Sequence, residues 1–348
     1  MRKTTVSLLG LLAEYFESYL PTVKGVSENT IISYQYAFTL LFKFIESEKG
    51  LTADKVSFGD LSGDSILGFL QWLEETRACS IKTRNQRRAA IMSFAKYAAR
   101  RFSGETISFY SDIAGIPPKR VPKTSEIKYF TKEEVGILLK LPNTARRIGQ
   151  RDIALMSVLY SSGARAQEIC DLTVNDIMFG KITKLRLVGK GRKARTVTIP
   201  GNCAKILRDY IVDSRGFDIY GERDRLRHVF PTQTHEKMSI SCVEEVVKKY
   251  VLIAKKTYPS MFRQDRYSPH CFRHSIAVHM LECGESIAVI KAFLGHASIA
   301  TTMVYTSVTP EIANRYLKDR DIGIDILKNA TPKKGQPELL SFLRKPKG

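Results

Sequence analysis

No apolar stretch of this sequence approaches the roughly 20 residues that a membrane-spanning helix needs, which excludes a helical membrane anchor. The N-terminal MRKTTVSLLGLLAEYF has the outline of a short secretion signal, but Glu14 and Glu17 interrupt it and no small-residue cleavage site follows. Cysteine pairs are missing as well: the six cysteines, at 79, 170, 203, 242, 271 and 283, include no C-x-x-C. That spacing excludes a zinc ribbon and a disulfide scaffold, and it suits a reducing compartment. With no basic amphipathic anchor either, a cytoplasmic protein without membrane contact is expected. Acidic residues are scarce beside basic ones, 35 against 55, giving a net charge of +20. A surface of that sign attracts polyphosphate through counterion release and steering, so nucleic acid is the expected partner and the nucleoid the expected place.

At 348 residues the chain has room for two domains, each with its own core. SDIAGIPPKRVPKTSE, residues 111–126, carries three prolines and little apolar period, so it reads as a linker. Residues 1–110 read as a helical domain. In SENTIISYQYAFTLLFKFIESE the apolar side chains Ile31, Tyr34, Phe38, Leu41 and Ile45 fall on one helix face. In IKTRNQRRAAIMSFAKYAARR, Arg84, Arg87 and Arg88 share a face with Ile91, Ala95 and Ala98, as if a basic helix start projected into a groove. Residues 127–330 form the second expected domain, where Thr131 and Glu134 make a capping box at a helix start. KITKLRLVGKGRKARTVTIP adds two alternating strands, 182–188 and 194–199, around a GKGRK turn. Residues 331–348 are a basic tail with an apolar patch, which either folds back or docks on another subunit. The fold class is therefore mainly α, with a small β-hairpin or sheet in the second domain.

Four of the six histidines lie between His270 and His296, in a stretch that begins SPHCFRHSIAVHM. Ser268 and Pro269 make a good helix start, which puts His270, Arg273 and His274 on one face of the first turns. Helix N-termini favour phosphate. Three readings compete here: a metal site, a packed core and an acid–base centre. Zinc is disfavoured because the glutamate of H-E-x-x-H is missing and an arginine stands between the histidines. His279, on an apolar stretch, and Cys271 read as core residues. Elsewhere SSGARAQEICDL sets Arg165 after a glycine turn with Glu168 one helical turn on, and LGHASIATTMVYTSV sets Tyr305 nine positions after His296. Two arginines, two histidines, a loop lysine and a tyrosine on a basic protein suggest phosphoryl transfer with a tyrosine nucleophile.

These blocks resemble the tyrosine recombinase/integrase family, which includes Xer-type recombinases and phage and transposon integrases. The resemblance rests on GARAQEI, HCFRH and LGH-to-tyrosine in that order, with 23 residues from Arg273 to His296. Hairpins like VGKGRK occur in the family too. Ala164 stands where the family usually has a larger apolar residue. The resemblance spans about residues 10 to 316 and implies a two-domain DNA clamp, a helical core-binding domain joined to a catalytic domain.

The resemblance also implies roles. Arg165 and Arg273 clamp the non-bridging oxygens of the scissile phosphate, where planar, permanently charged guanidiniums suit the growing charge. Tyr305 attacks in line, giving a 3′-phosphotyrosine and a free 5′-hydroxyl. Only roughly one free tyrosine in a thousand is ionised at pH 7, so a base is useful, and His270 is the candidate. Lys190 protonates the leaving 5′ oxygen, in competition with Lys193, Arg192 and Arg195 of the same hairpin. His296 hydrogen-bonds the phosphate, and Glu168 orients its cationic neighbours or merely forms a salt bridge. His274 supports the helix. DNA-backbone contacts are expected from Arg84, Arg87, Arg88, Arg192 and Lys193. No metal, nucleotide or other cofactor is required, because the phosphotyrosine conserves bond energy.

The implied assembly is a homo-tetramer on two paired duplex sites, with accessory DNA-bending or directionality proteins as optional partners. A type IB topoisomerase, which uses similar chemistry as a monomer, is the nearest alternative. A DNA-binding architectural protein with a dead site is the alternative of another class. A helical domain starting within about ten residues of Met1 leaves no room for an arm-binding domain, and the 212–228 region and the tail lean towards a mobile element.

Overall fold

Serine and threonine caps open most of the helices, so local sequence sets where the chain turns. The computed structural model describes residues 7–121, 127–189, 191 and 193–307. The expected tail 331–348, the hairpin residues Lys190 and Arg192, and linker residues 122–126 lie outside the described residues. The chain divides into two units, Met1–Ser125 and Glu126–Gly348. Among the described residues no helix is long and apolar enough to cross a membrane.

The first unit is all-helical. Helix α1 (Leu8–Glu14) runs on as a wider-wound turn through Val23, and is followed by α2 (Glu28–Lys49), α3 (Gly63–Glu75), α4 (Ile81–Arg101) and α5 (Glu105–Gly115). The α2 helix stops at Gly50, whose left-handed φ of 66° suits glycine. Phe38, Leu41 and Ile45 are buried as their spacing predicts, while Ile31 and Tyr34 pack at the margin. Phe94 of α4 sits at the centre, its ring 5.3 Å from those of Tyr15 and Phe38.

Two expectations for this unit need correction. The linker was expected from residue 111, but α5 continues to Gly115 because Phe109 and Ile113 extend its buried stripe. The basic start of α4 does not project freely from the core, because its arginines are tied within the unit. Arg84 is 3% exposed, its Nε 3.7 Å from Glu74 and its Nη1 donating to Asn85. Arg87 donates to the Ser33 carbonyl and lies over the Tyr36 ring. Arg88 donates to the carbonyls of Ile113 and Ile116 at the end of α5. Helix ends leave carbonyls without partners, and a guanidinium with several donors satisfies two at once.

The second unit opens with α6 (Lys132–Lys140), capped by Thr131 and Glu134 as expected. The long central α7 (Arg147–Ser162) and the short α8 (Ala166–Cys170) follow. Strands β1 (Ile177–Met178), β2 (Lys184–Val188) and β3 (Ala194–Thr198) make an antiparallel sheet in that order, with Leu187 opposite Arg195. Then come α9 (Gly201–Asp209), α10 (Ile240–Thr257), α11 (Pro269–Glu282), α12 (Ile287–Leu294) and the one-turn α13 (Ala300–Met303). The main core gathers Leu155 and Leu159 of α7, Leu185 and Leu187 of β2, and Phe130 stacked 4.7 Å from Tyr267. A smaller cluster joins Ala277, Val278 and Leu281 of α11 to Ile290, Leu294 and Tyr305.

Because Arg88 satisfies the end of α5, Arg88→Ala is expected to lower the unfolding free energy by about 1.5–3 kcal/mol, the range for hydrogen bonds to a charged group. Exposed Lys82→Ala should stay within about 0.5 kcal/mol of the parent. Chemical denaturation of the full chain measures both.

Candidate active site

Left-handed glycines bring the site's elements together. Gly163 ends α7 at φ 58°, and a Cβ there would lie 2.8 Å from Leu294 Cδ2 and 3.2 Å from Ile276 Cγ2. Gly295 ends α12 at φ 66°, and its Cβ would lie 2.8 Å from Arg195 Cδ. Both positions therefore need glycine for conformation and for space. The close approaches set the α7–α8 turn, the sheet and the end of α12 around the first turns of α11.

One carboxylate organises the arginines. Arg195 grips Glu168 with two parallel bonds of 2.8 Å, Nη1 to Oε1 and Nη2 to Oε2. Arg165 reaches the same group twice, through Nη1 to Oε1 and its main-chain N–H to Oε2, each at 2.9 Å. Glu168 is buried, which by itself would raise its pKa; the Arg195 and Arg165 hydrogen bonds and charges prevail and hold the carboxyl at about 2.

Arg273 completes the set from α11. It is 0% exposed, with Nη1 donating to the Gly163 carbonyl at 2.5 Å and Nη2 to the Leu294 carbonyl at 2.6 Å. Burial first, then Arg165 and Arg195, lowers it to about 10, which leaves it charged at neutral pH. Arg195 Nε donates to the Phe293 carbonyl, so two arginines cap the C-terminus of α12, the negative end of its dipole. Among the described residues Arg273 Nε has no hydrogen-bond partner. Three guanidiniums thus face one carboxylate, an excess of positive charge suited to an anion.

The titratable groups lie beside it. Tyr305 is 1% exposed, and its hydroxyl is 2.9 Å from His274 Nδ1. Burial raises its pKa against the opposing pull of Arg273 and Arg165. His296 Nδ1 bonds the buried Thr302 hydroxyl at 2.8 Å, and its ring lies nearly parallel to that of Tyr305. Desolvation, then Arg273 and Arg165, brings His296 to about 4. His270 is exposed on the first turn of α11, its ring edge-on to His274 at 4.5 Å, and desolvation with Arg273 and Arg165 lowers its pKa.

Arg165, Glu168, His270, Arg273, His296 and Tyr305 are thus assembled from separate segments. Lys190 and Arg192 lie outside the described residues, but Gly189, just before them, abuts the pair: its Cβ would be 3.0 Å from Glu168 Oε1. Lys193 is exposed on the hairpin. His279 is buried and bonds the Tyr160 hydroxyl, and Cys271 is buried two turns earlier on α11, in keeping with core roles. Among the described residues no group of three or more His, Cys, Asp or Glu side chains is placed to hold a metal.

Two participants escaped sequence reasoning. Arg195 was considered only as a rival to Lys190, although it alternates in phase with buried Val197, so an inward charge was legible there. His274 was read as helix support, yet it heads the stripe Ala277, Val278 and Leu281 against which Tyr305 packs.

Comparison with known proteins agrees with this geometry. Residues 128–311 match the phage integrase family, and residues 13–101 match the SAM-like N-terminal domain of phage integrases. A Sinorhizobium fredii protein provisionally named integrase/recombinase y4rC is 32% identical over 87% of this chain and 88% of its own. The tyrosine recombinase XerC of Herpetosiphon aurantiacus is 31% identical over 87% of this chain and 92% of its own. In fold, the chain is similar to the XerH site-specific recombinase bound to palindromic difH, with a TM-score of 0.64, 18% identity, and 88% and 85% of the two chains covered. The Tn1549 transposon integrase in complex with transposon right end DNA gives a TM-score of 0.62 at 15% identity, covering 88% and 98%.

Removing the central anion leaves crowded guanidiniums, so Glu168→Gln is expected to cost about 3–5 kcal/mol, as for a broken buried ion pair. The acid limb should change with it. A carboxyl held at about 2 contributes stability that is present above its ordinary value of about 4.5 and lost as pH falls through about 2. The parent should therefore lose stability below pH 4.5 through this group, and the glutamine variant should lack that component. Unfolding free energies measured from pH 7 to pH 2 check both.

Proposed function

The chain belongs to the phage integrase family and is a tyrosine recombinase, an enzyme that cuts and rejoins DNA; from that premise we propose how its own residues do so. Arg165, half-exposed, makes the first contact with a non-bridging oxygen of the scissile phosphate. Arg273 engages next, after local opening of the enclosed guanidinium. Tyr305 attacks the phosphorus in line, forming the 3′-phosphotyrosine and releasing the 5′ oxygen. Lys190, next in sequence to Gly189, delivers the proton to that oxygen. His296, neutral at physiological pH and held by Thr302, donates to the phosphate. Glu168 and Arg195 orient Arg165 and the hairpin.

The observation that carries this reading is the meeting of a buried tyrosine hydroxyl and surplus guanidinium charge at one spot. Electrostatic stabilisation of the pentacoordinate phosphate is then preorganised at Arg165, which Glu168 already holds, and is completed when Arg273 opens towards the phosphate. XerH and the Tn1549 integrase, of the same fold, are seen on DNA; paired duplex sites and a homo-tetramer are proposed for this chain as well. The net charge of +20 supports residence on the nucleoid, and the fold shared with the Tn1549 transposon integrase supports a mobile-element origin, with accessory bending or directionality proteins as partners.

Nicked suicide duplexes selected from a randomised pool test the nucleophile. Tyr305→Phe should bind the selected duplex and form no covalent complex. Adduct at the parent's yield would move the nucleophile elsewhere, and recombination between two selected sites separates a recombinase from a topoisomerase that only relaxes DNA. Lys190→Ala should slow cleavage by roughly 10²–10⁴-fold, the span of acid–base catalysis. A 5′-phosphorothiolate bridge, whose sulfur leaves with little need of a proton, should restore most of that rate. Arg165→Ala should gain nothing from it.

A further inference from the structure

The tyrosine's proton needs a destination, and geometry bears on which histidine receives it. His270 was expected there. Among the described residues, however, the Tyr305 hydroxyl hydrogen-bonds His274 Nδ1 at 2.9 Å, with the two rings 5.5 Å apart and inclined at 62°. His270 is itself exposed on an otherwise buried first turn and makes no hydrogen bond among the described residues. We propose that His274 is a catalytic residue: its Nδ1 takes the phenolic proton of Tyr305 during cleavage and returns it on rejoining. This assignment rests on the recombinase reading and specifies one proton within it.

The step balances simply. The Tyr305 O–H bond breaks, and the proton passes to the Nδ1 lone pair of an imidazole protonated at Nε2. The phenolic oxygen bonds phosphorus, the bond from phosphorus to the 5′ oxygen breaks, and that oxygen takes a proton from Lys190. Rejoining reverses each transfer, so no external reactant is consumed. His270 is left free to face the phosphate beside Arg165 and Arg273.

The surroundings support the assignment. Desolvation, then His270 and Arg273 on α11 and His296 beyond α12, holds His274 at about 3. It is therefore neutral at pH 7, with a lone pair to offer. A phosphate seated among the arginines brings negative charge that opposes those terms, so DNA itself would raise the basicity of His274. As the phenolic oxygen bonds phosphorus, its proton becomes far more acidic. Transfer to a weak base then becomes feasible at the moment of attack.

The test is single-turnover adduct formation on the selected nicked duplex between pH 6 and pH 10. His274→Asn puts an amide near the Nδ1 position, where it hydrogen-bonds the phenol but accepts no proton. It should be slowed by roughly 10²–10⁴-fold at pH 7. Its rate should then rise about tenfold per pH unit as the phenol ionises unaided, closing the gap with the parent. In His274→Ala, added imidazole should restore part of the rate. DNA binding and unfolding midpoints of both variants report folding separately. A His274→Asn enzyme within about threefold of the parent, or one equally slow at every pH, overturns the proposal. Imidazole without effect on a folded, DNA-binding His274→Ala enzyme overturns it also. A parent that binds the duplex yet forms no adduct would instead overturn the recombinase reading itself.

Discussion

One buried carboxylate decides where the guanidinium charges of the candidate site stand. Glu168 accepts two parallel bonds from Arg195 and two more from Arg165, so the hairpin and the α7–α8 turn cannot move independently. Removing either arginine would leave the other to balance a carboxylate taken out of water, a costly state. This constraint fixes Arg165 and Arg195 before substrate arrives. A preorganised set of donors costs little to reorganise when charge develops, which is what phosphoryl transfer asks of a protein.

Helix termini extend the same logic. The last carbonyls of α12 have no partners within the helix, and here they meet Arg195 and Arg273. The guanidinium that would stabilise the phosphate is thus also the cap of the helix leading to His296 and Tyr305. Geometry of the arginine cluster and placement of Tyr305 become one problem. Gly163 and Gly295 permit the close approach, since a side chain at either would collide with the neighbouring element.

Arginine has opposite fates in the two units. In the first, Arg84, Arg87 and Arg88 serve the fold, tying α4 to neighbouring helices and satisfying the end of α5. In the second, Arg165, Arg195 and Arg273 leave net positive charge after their ties are counted, because a single carboxylate answers three of them. Charge type alone therefore says little about DNA contact.

Much of this was written into local sequence. Thr131 with Glu134, Pro269 at a first turn, and the alternation of Lys184–Val188 follow from chemistry within a few residues, and the expected elements formed there. The family resemblance carried by GARAQEI, HCFRH and LGH-to-tyrosine also pointed to the six residues that now sit together. Periodicity tells which side chains share a face, but not what that face meets. So the bond between His274 and Tyr305, the sharing of Glu168 by two arginines, and the burial of Arg84 were decided by tertiary structure alone. Each depends on a partner far along the chain, and only packing of whole elements brings a lone pair and a proton within 2.9 Å.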